Sequence, residues 1–357
     1  MPSLKQFNPS KILQHLDRVN DFFRGKNVLP VTVEIDPSNV CNHDCIWCTF
    51  EHFRGKSNAV MPEDLLRRTL IELKENGVKS VVWTGGGEPF TNKCLFPVMD
   101  FAHNLGLEMG VFTNGALLNE TNSIQIVEQC IFIRVSMDAA TGDTHTKLHR
   151  PRNPDADNFH KILNNISRLV QFKKKSHSKI TIGTSFLVNE ENFHEIFQAA
   201  KLVKELGVDY FQIKPVVIFD GTQLDTSVFI KAQPFIMDAE ALAEKGFDVF
   251  SLDYKFKDLM DPEHNYGRQY TECLGHSFIG TIGADGEVYL CCHLRGMPEY
   301  SFGNLHEKNY VEIWNGARRQ EAIKRIDFKK CQPLCKAHEI NKILHYIKYP
   351  ERHSNFL

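Results

Sequence analysis

The stretch CNHDCIWC sets Cys41, Cys45 and Cys48 on one short loop. Gaps of three and two residues let three sulfurs converge on one inorganic centre without help from distant parts of the chain. Thiolates are soft ligands that suit zinc or an iron–sulfur cluster. A structural zinc wants four closed ligands, and His43 or His52 could complete such a set. An iron–sulfur cube held by only three thiolates instead leaves one iron open to a further ligand.

A second group lies in the final third: Cys273, Cys291, Cys292, Cys331 and Cys335. Four thiolates from three separate segments could close one full site, again as zinc or as a cluster. Neighbouring strand residues point to opposite faces, so Cys291 and Cys292 do not both serve one centre. The remaining pair, Cys94 and Cys130, sit in helix-like and strand-like settings as small hydrophobes. The N-terminal sequence lacks the apolar core and cleavage site of a secretory signal, so a cytoplasmic location is expected. In that reducing compartment clustered cysteines point to metal chemistry rather than disulfides.

These loops need elements to hold them. From residue 31 short β-branched runs alternate with amphipathic segments: VTVEID, PEDLLRRTLIELKENG, KSVVWTG, NKCLFPVMDFAHNLG, LEMGVFTNG, and onward to VDYFQIKPV at 208–216. Six strands separated by helices predict an α/β fold with a parallel sheet. No GxGxxG follows the first strand, which disfavours a dinucleotide-binding sheet. The domain reading is a helical extension at 1–30, a core at 31–216, a connecting region at 217–272 in which no strand–helix unit can be drawn, a smaller domain at 273–340, and a tail at 341–357. Within the smaller domain, SFIGTIGADGEVYLCC is a hairpin turning at Asp285-Gly286, and EIWNGARRQEAIKRI is one helix.

The cysteine loop after the first strand, with aromatic Trp47 just before its third cysteine, is followed by Gly85-Gly86-Gly87-Glu88-Pro89 after the second strand. This pair of motifs resembles the signature of the radical S-adenosylmethionine superfamily. The resemblance implies a partial (β/α)6 TIM-like barrel. It also implies that Cys41, Cys45 and Cys48 hold a catalytic 4Fe–4S cluster whose open iron takes the amino and carboxylate groups of S-adenosylmethionine. Gly86 and Gly87 would let the backbone approach the ligand, and Glu88 or exposed carbonyls would accept from its ammonium. Trp47, Asn114, Ser185 and Lys214 would contribute further contacts. Ser136 resembles the serine near the ribose, and Arg150 the arginine that pairs with the methionyl carboxylate.

The C-terminal pattern of a cysteine, a hairpin, a cysteine, Gly303-Asn304, Glu312-Ile313-Trp314 and a closing CxxxC resembles the reduced SPASM or twitch domain of the same superfamily. That implies an α+β auxiliary domain with one further 4Fe–4S cluster on Cys273, Cys291, Cys331 and Cys335. Cys292 is then either an inert packed thiol or a hydrogen-atom donor to a product radical.

Such an enzyme cleaves S-adenosylmethionine reductively to a 5′-deoxyadenosyl radical and takes hydrogen from its substrate, with a flavodoxin- or ferredoxin-type donor. The expected substrate is a small carbohydrate- or nucleoside-like molecule undergoing oxidation, dehydration or epimerisation, since only about thirty residues precede the first strand, where peptide-modifying relatives carry a leader-binding module. The alternatives are a peptide- or protein-modifying maturase and a non-catalytic iron–sulfur or zinc protein. A formal charge of −2 with 42 basic and 44 acidic residues argues for no nucleic-acid partner. No uncharged apolar run reaches the ~18 residues of a membrane span.

Overall fold

The computed structural model describes residues 8–48, 50, 57–153, 157–216, 227–252, 256, 270–327, 331 and 335–356. After a 3-10 turn at Pro9–His15 and helix α1 (Leu16–Phe23), strands and helices alternate: β1 (Thr32–Ile35), α2 (Glu63–Glu75), β2 (Ser80–Trp83), α3 (Leu95–Asn104), β3 (Glu108–Thr113), α4 (Glu120–Gln129), β4 (Phe132–Ser136), α5 (Gly142–His149), α6 (Asn158–Ser176), β5 (Thr181–Val188), α7 (Ile196–Leu206) and β6 (Tyr210–Pro215). Each strand pairs in parallel with the next in sequence. Sequential order with crossovers of one hand puts the helices on one face and leaves the other to curl inward as a partial barrel.

Alternation along β1 sets the division. Val33 and Ile35 are fully buried in the apolar core with Leu66, Leu70 and Leu73 of α2. Glu34 and Asp36 therefore point to the inner face. On that face Gly110 and Gly183 leave room for rings: a Cβ there would lie 2.2 Å from the Phe132 ring and 2.0 Å from the Tyr210 ring. These aromatics begin β4 and β6, so they fill the N-terminal end of the lumen and leave the C-terminal strand ends for chemistry.

The structure extends the sheet beyond the six expected strands. Helix α8 (Ser227–Glu240) leads to β7 (Asp248–Ser251), which pairs in parallel with β6. Pro234 inside α8 and the short β7 hid this unit from a periodicity reading. The hairpin forms as expected from β8 (Ile279–Ile282) and β9 (Glu287–Tyr289), with Gly286 at φ +82° in the turn. β10 (Ser301–Asn304) adds antiparallel to β9, while β8 lies parallel to β1 in the register Glu34–Thr281. Among the described residues one ten-stranded sheet thus runs β10-β9-β8-β1 through to β7.

The expected single helix after residue 312 is two, α9 (Tyr310–Asn315) and α10 (Ala317–Lys324), broken at Gly316. Residues placed in a tail are helical as far as Lys348, in α11 (His338–Lys348). Leu344 of α11 packs with Val19 of α1 and with Leu274 and Phe278 in a small separate apolar cluster.

Candidate functional site

The chain leaves β1 at Asp36 and is clamped from three sides before and within the cysteine loop. The glycine segment forms two rungs with it: Gly87 N–H donates to Ser38 O at 3.1 Å and Glu88 N–H to Val40 O at 2.9 Å. A Cβ on Gly87 would stand 2.1 Å from Val40 O, and one on Gly85 2.6 Å from Gly87 O. Across from them, Asn39 N–H donates to Ala59 O at 2.8 Å and Met61 N–H to Pro37 O at 2.9 Å. The end of α5 grips the loop itself, with Asp44 N–H on His149 O and Arg150 O, and Ile46 N–H on Leu148 O, at 3.0–3.1 Å. Arg150 supplies its carbonyl from a left-handed cap at φ +42°, and its side chain is exposed.

Glu88 is turned inward. Its carboxylate accepts from Thr113 Oγ1 at 2.7 Å, Asn114 N–H at 2.8 Å and Phe90 N–H at 3.4 Å, and it is 2% exposed. Burial pushes this carboxyl up to about 7 against the pull of those donors. Glu88 thereby ties the glycine segment to the end of β3. Among the described residues the carbonyls of Gly85, Gly86 and Gly87 accept no hydrogen bond, which leaves them for a cationic ligand group. Asn114 extends the tie to the cysteine loop by donating from Nδ2 to Asn42 Oδ1 at 2.8 Å.

The inner face carries a polar row. Ser136, Ser185 and Gln212 stand in register across β4, β5 and β6, and Lys214 is two residues beyond Gln212 on the same face. Below them the half-buried Arg134 guanidinium lies 3.8 Å over the Phe112 ring and donates to Gln212 Oε1 at 3.2 Å.

Burial pushes the Cys41 thiol up to about 12, and the nearness of Glu88, Cys45 and Cys48 adds to it. Three thiols within such mutual reach lose their protons together only against a strong positive charge. Among the described residues the one set of three ligating atoms all within 4.8 Å of each other is His43, Cys45 and His149, so the three loop sulfurs are spread more widely than that. Ligands sharing one zinc at about 2.3 Å stand at most about 4.6 Å apart. The three loop sulfurs together lie outside that limit, whereas a cube seats each thiolate on its own iron; the set spaced for a single ion is His43, Cys45 and His149. His43 is buried against the rings of His145 and His149. His52 lies outside the described residues. The buried indole N–H of Trp47 has no acceptor, a donor left for a ligand.

Sequence reasoning missed His149. Its Nδ1 lies 3.4 Å from Cys45 Sγ, and its Nε2 lies 3.0 Å from Met137 O and 3.3 Å from Asp138 Oδ2. Burial alone would push this imidazole down, but the charges of Cys45 and Asp138 hold it well above its ordinary value. Asp138 sits at φ +52°, a costly conformation fixed by Leu187 N–H on Oδ1 at 2.7 Å and Asn192 Nδ2 on its carbonyl at 2.8 Å. Two histidines four residues apart on α5 were the available signal.

In the second group, burial pushes the Cys291 thiol well up, with Cys292, Cys273 and Cys331 adding to it. Asn341 Nδ2 is 3.5 Å from Cys273 Sγ. No three of Cys273, Cys291, Cys331 and Cys335 meet the 4.8 Å spacing either. Cys292 instead faces a buried charge network. Arg295, 2% exposed, reaches Asp36 Oδ1 at 2.9 Å and Glu34 Oε2 at 3.4 Å, and Lys336 pairs with Glu34. Burial would raise Glu34, but Lys336 and Arg295 bring it down to about 2. Asp36 also accepts from Gly86 N–H at 3.2 Å, so the network joins the glycine segment to the second cysteine group.

The Radical SAM superfamily profile matches residues 35–203, and an iron–sulfur cluster-binding SPASM domain profile matches residues 273–337. The chain belongs to the radical SAM superfamily. It is 23% identical over 301 residues to a tungsten-containing aldehyde ferredoxin oxidoreductase cofactor-modifying protein of Pyrococcus furiosus, spanning 78% of this chain and 79% of that protein. It is 24% identical over 316 residues to an S-adenosylmethionine-dependent nucleotide dehydratase of Fibrobacter sp., spanning 85% and 86%. The Streptococcus suis SuiB structure bound to precursor peptide SuiA shares the fold at a TM-score of 0.67 and 17% identity, over 96% of this chain and 79% of that one. This radical SAM enzyme therefore carries a 4Fe–4S cluster bound with S-adenosylmethionine and an auxiliary cluster in its SPASM region. Among the described residues no helix is long and apolar enough to cross a membrane.

Proposed function

We propose that Cys41, Cys45 and Cys48 hold the cluster that binds S-adenosylmethionine, that Cys273, Cys291, Cys331 and Cys335 hold the auxiliary cluster, and that the substrate is a small nucleotide-like molecule seated in the lumen. The functional units in this reading are the core at 31–216 and the auxiliary domain at 273–340, with a flavodoxin- or ferredoxin-type protein as electron source. When bound, the cluster and cofactor supply a radical able to take hydrogen from an unreactive carbon. The chain does the positioning. The carbonyls of Gly85–Gly87 receive the cofactor ammonium, Ser136 and Ser185 face the ribose, Lys214 and Arg150 counter the carboxylate, and Glu88 and Asn114 keep the two loops in register.

Arg134 carries the substrate reading. It is a lumen-facing guanidinium stacked on Phe112 and bonded to a neutral amide, with no carboxylate in ion-pair range among the described residues. Such a planar fork suits a phosphate. The nucleotide dehydratase similarity points the same way.

The test is 5′-deoxyadenosine formation by reconstituted protein with dithionite and S-adenosylmethionine, with and without nucleoside mono- and triphosphates, unphosphorylated nucleosides, free sugars and short peptides. A phosphorylated nucleoside should raise the rate, and Arg134→Leu should remove that increase while sparing basal cleavage. Stimulation by a short peptide alone would support the maturase alternative and overturn this substrate assignment.

A further inference from the structure

Arg319 of α10 is turned inward beside Ala322 and is 5% exposed. Its guanidinium lies 4.1 Å from the Trp314 ring, and its Nη2 is 3.3 Å from both His276 Nδ1 and Ser277 Oγ. Nε is buried without a partner. Five N–H donors are thus served by two long hydrogen bonds from a single nitrogen. Among the described residues no carboxylate pairs with it. Burial pushes the guanidinium down to about 10, so the site holds its charge at a cost.

This side chain lines a cavity of about 420 Å³ between the end of α1, the turn at 271–277 and α10. Gln320 and Lys324 of α10 line the same cavity, and Phe22 and Ile323 give it an apolar wall. Lys26 and Glu272 also line it, but Lys26 pairs with Asp21 at 2.7 Å and Glu272 with Lys348 at 2.5 Å. The balance left is positive, from Arg319 and Lys324. The volume exceeds what a bare oxyanion needs and falls in the range of small-molecule sites.

We propose that this cavity binds a small phosphate-bearing molecule, whose phosphate is held by the Arg319 guanidinium with Lys324 and Gln320 beside it. The site lies on the auxiliary flank, with Cys273 itself among its lining residues, and shares no residue with the lumen. It therefore stands apart from the substrate reading given above.

Anaerobically reconstituted protein is titrated calorimetrically with inorganic phosphate and with adenosine monophosphate, at ionic strength fixed by potassium chloride. Saturable binding is expected, weakened roughly tenfold or more by Arg319→Gln and several-fold by Lys324→Gln, and kept by Arg134→Leu. Three results overturn the proposal: no saturable heat in the wild type, variants at 319 and 324 that bind as the wild type does, or loss on Arg134→Leu alone. If Arg319→Gln fails to fold, Lys324→Gln and Gln320→Ala decide, and unchanged affinity in both overturns it.

Discussion

Replacing Gly87 by alanine tests how the cysteine loop is held. The new Cβ would lie 2.1 Å from Val40 O, whereas ordinary contact begins at 3.4 Å, so the two backbones must part by more than 1 Å. Val40 immediately precedes Cys41, and the rungs to Ser38 O and Val40 O would both stretch. Each is worth about 1 kcal/mol to the folded state. The larger effect falls on geometry, since a displacement of about 1 Å at a reacting centre costs roughly 100-fold in rate. Gly142→Ala is the control, because a Cβ there meets nothing nearer than 3.9 Å. After anaerobic reconstitution, Gly87→Ala should lose iron from the radical cluster and drop 5′-deoxyadenosine formation roughly 100-fold, while Gly142→Ala behaves as wild type. Wild-type iron content and rate in Gly87→Ala would refute the clamp.

His149→Ala removes the group behind Cys45 and should weaken cluster retention by about 10–100-fold, as loss of such supporting hydrogen bonds does. Iron release to a chelator, followed by the cluster's electron paramagnetic resonance signal, measures it, and unchanged release would exclude the role. Glu88 has a folded-state value of about 7, above the ordinary carboxyl range. The stability it contributes is complete below about pH 4.5 and is lost as the pH rises through 7. Denaturant unfolding should therefore show wild type losing more stability between pH 5 and pH 8 than Glu88→Gln. Equal slopes would contradict the burial argument.

Much of the site could be read from local sequence because its parts are local. Three cysteines on one loop and a glycine run at one strand end need only their own spacing to declare themselves. The roles inside those motifs were less legible. Gly87 answers to Val40, 47 residues earlier, and Glu88 to Thr113 and Asn114, so motif residues expected to meet a ligand also hold the loops together. The Arg295–Asp36–Glu34–Lys336 network joins residues some 300 positions apart through the pairing of β8 with β1, and no periodicity reports such a contact. β7 was hidden by its four-residue length and by a proline in the helix before it. The outward-then-inward alternation of β1 was visible throughout, and Glu34 among apolar neighbours was the one local sign of what lay across it.

Iron and acid-labile sulfide in the anaerobically reconstituted chain, measured beside a Cys41, Cys45 and Cys48 triple alanine variant, test the two-cluster account most directly. The account predicts about eight irons with matching sulfide in the wild type and about four in the variant, with 5′-deoxyadenosine formation abolished. Zinc without sulfide in the wild type, or 5′-deoxyadenosine from the triple variant, would contradict it.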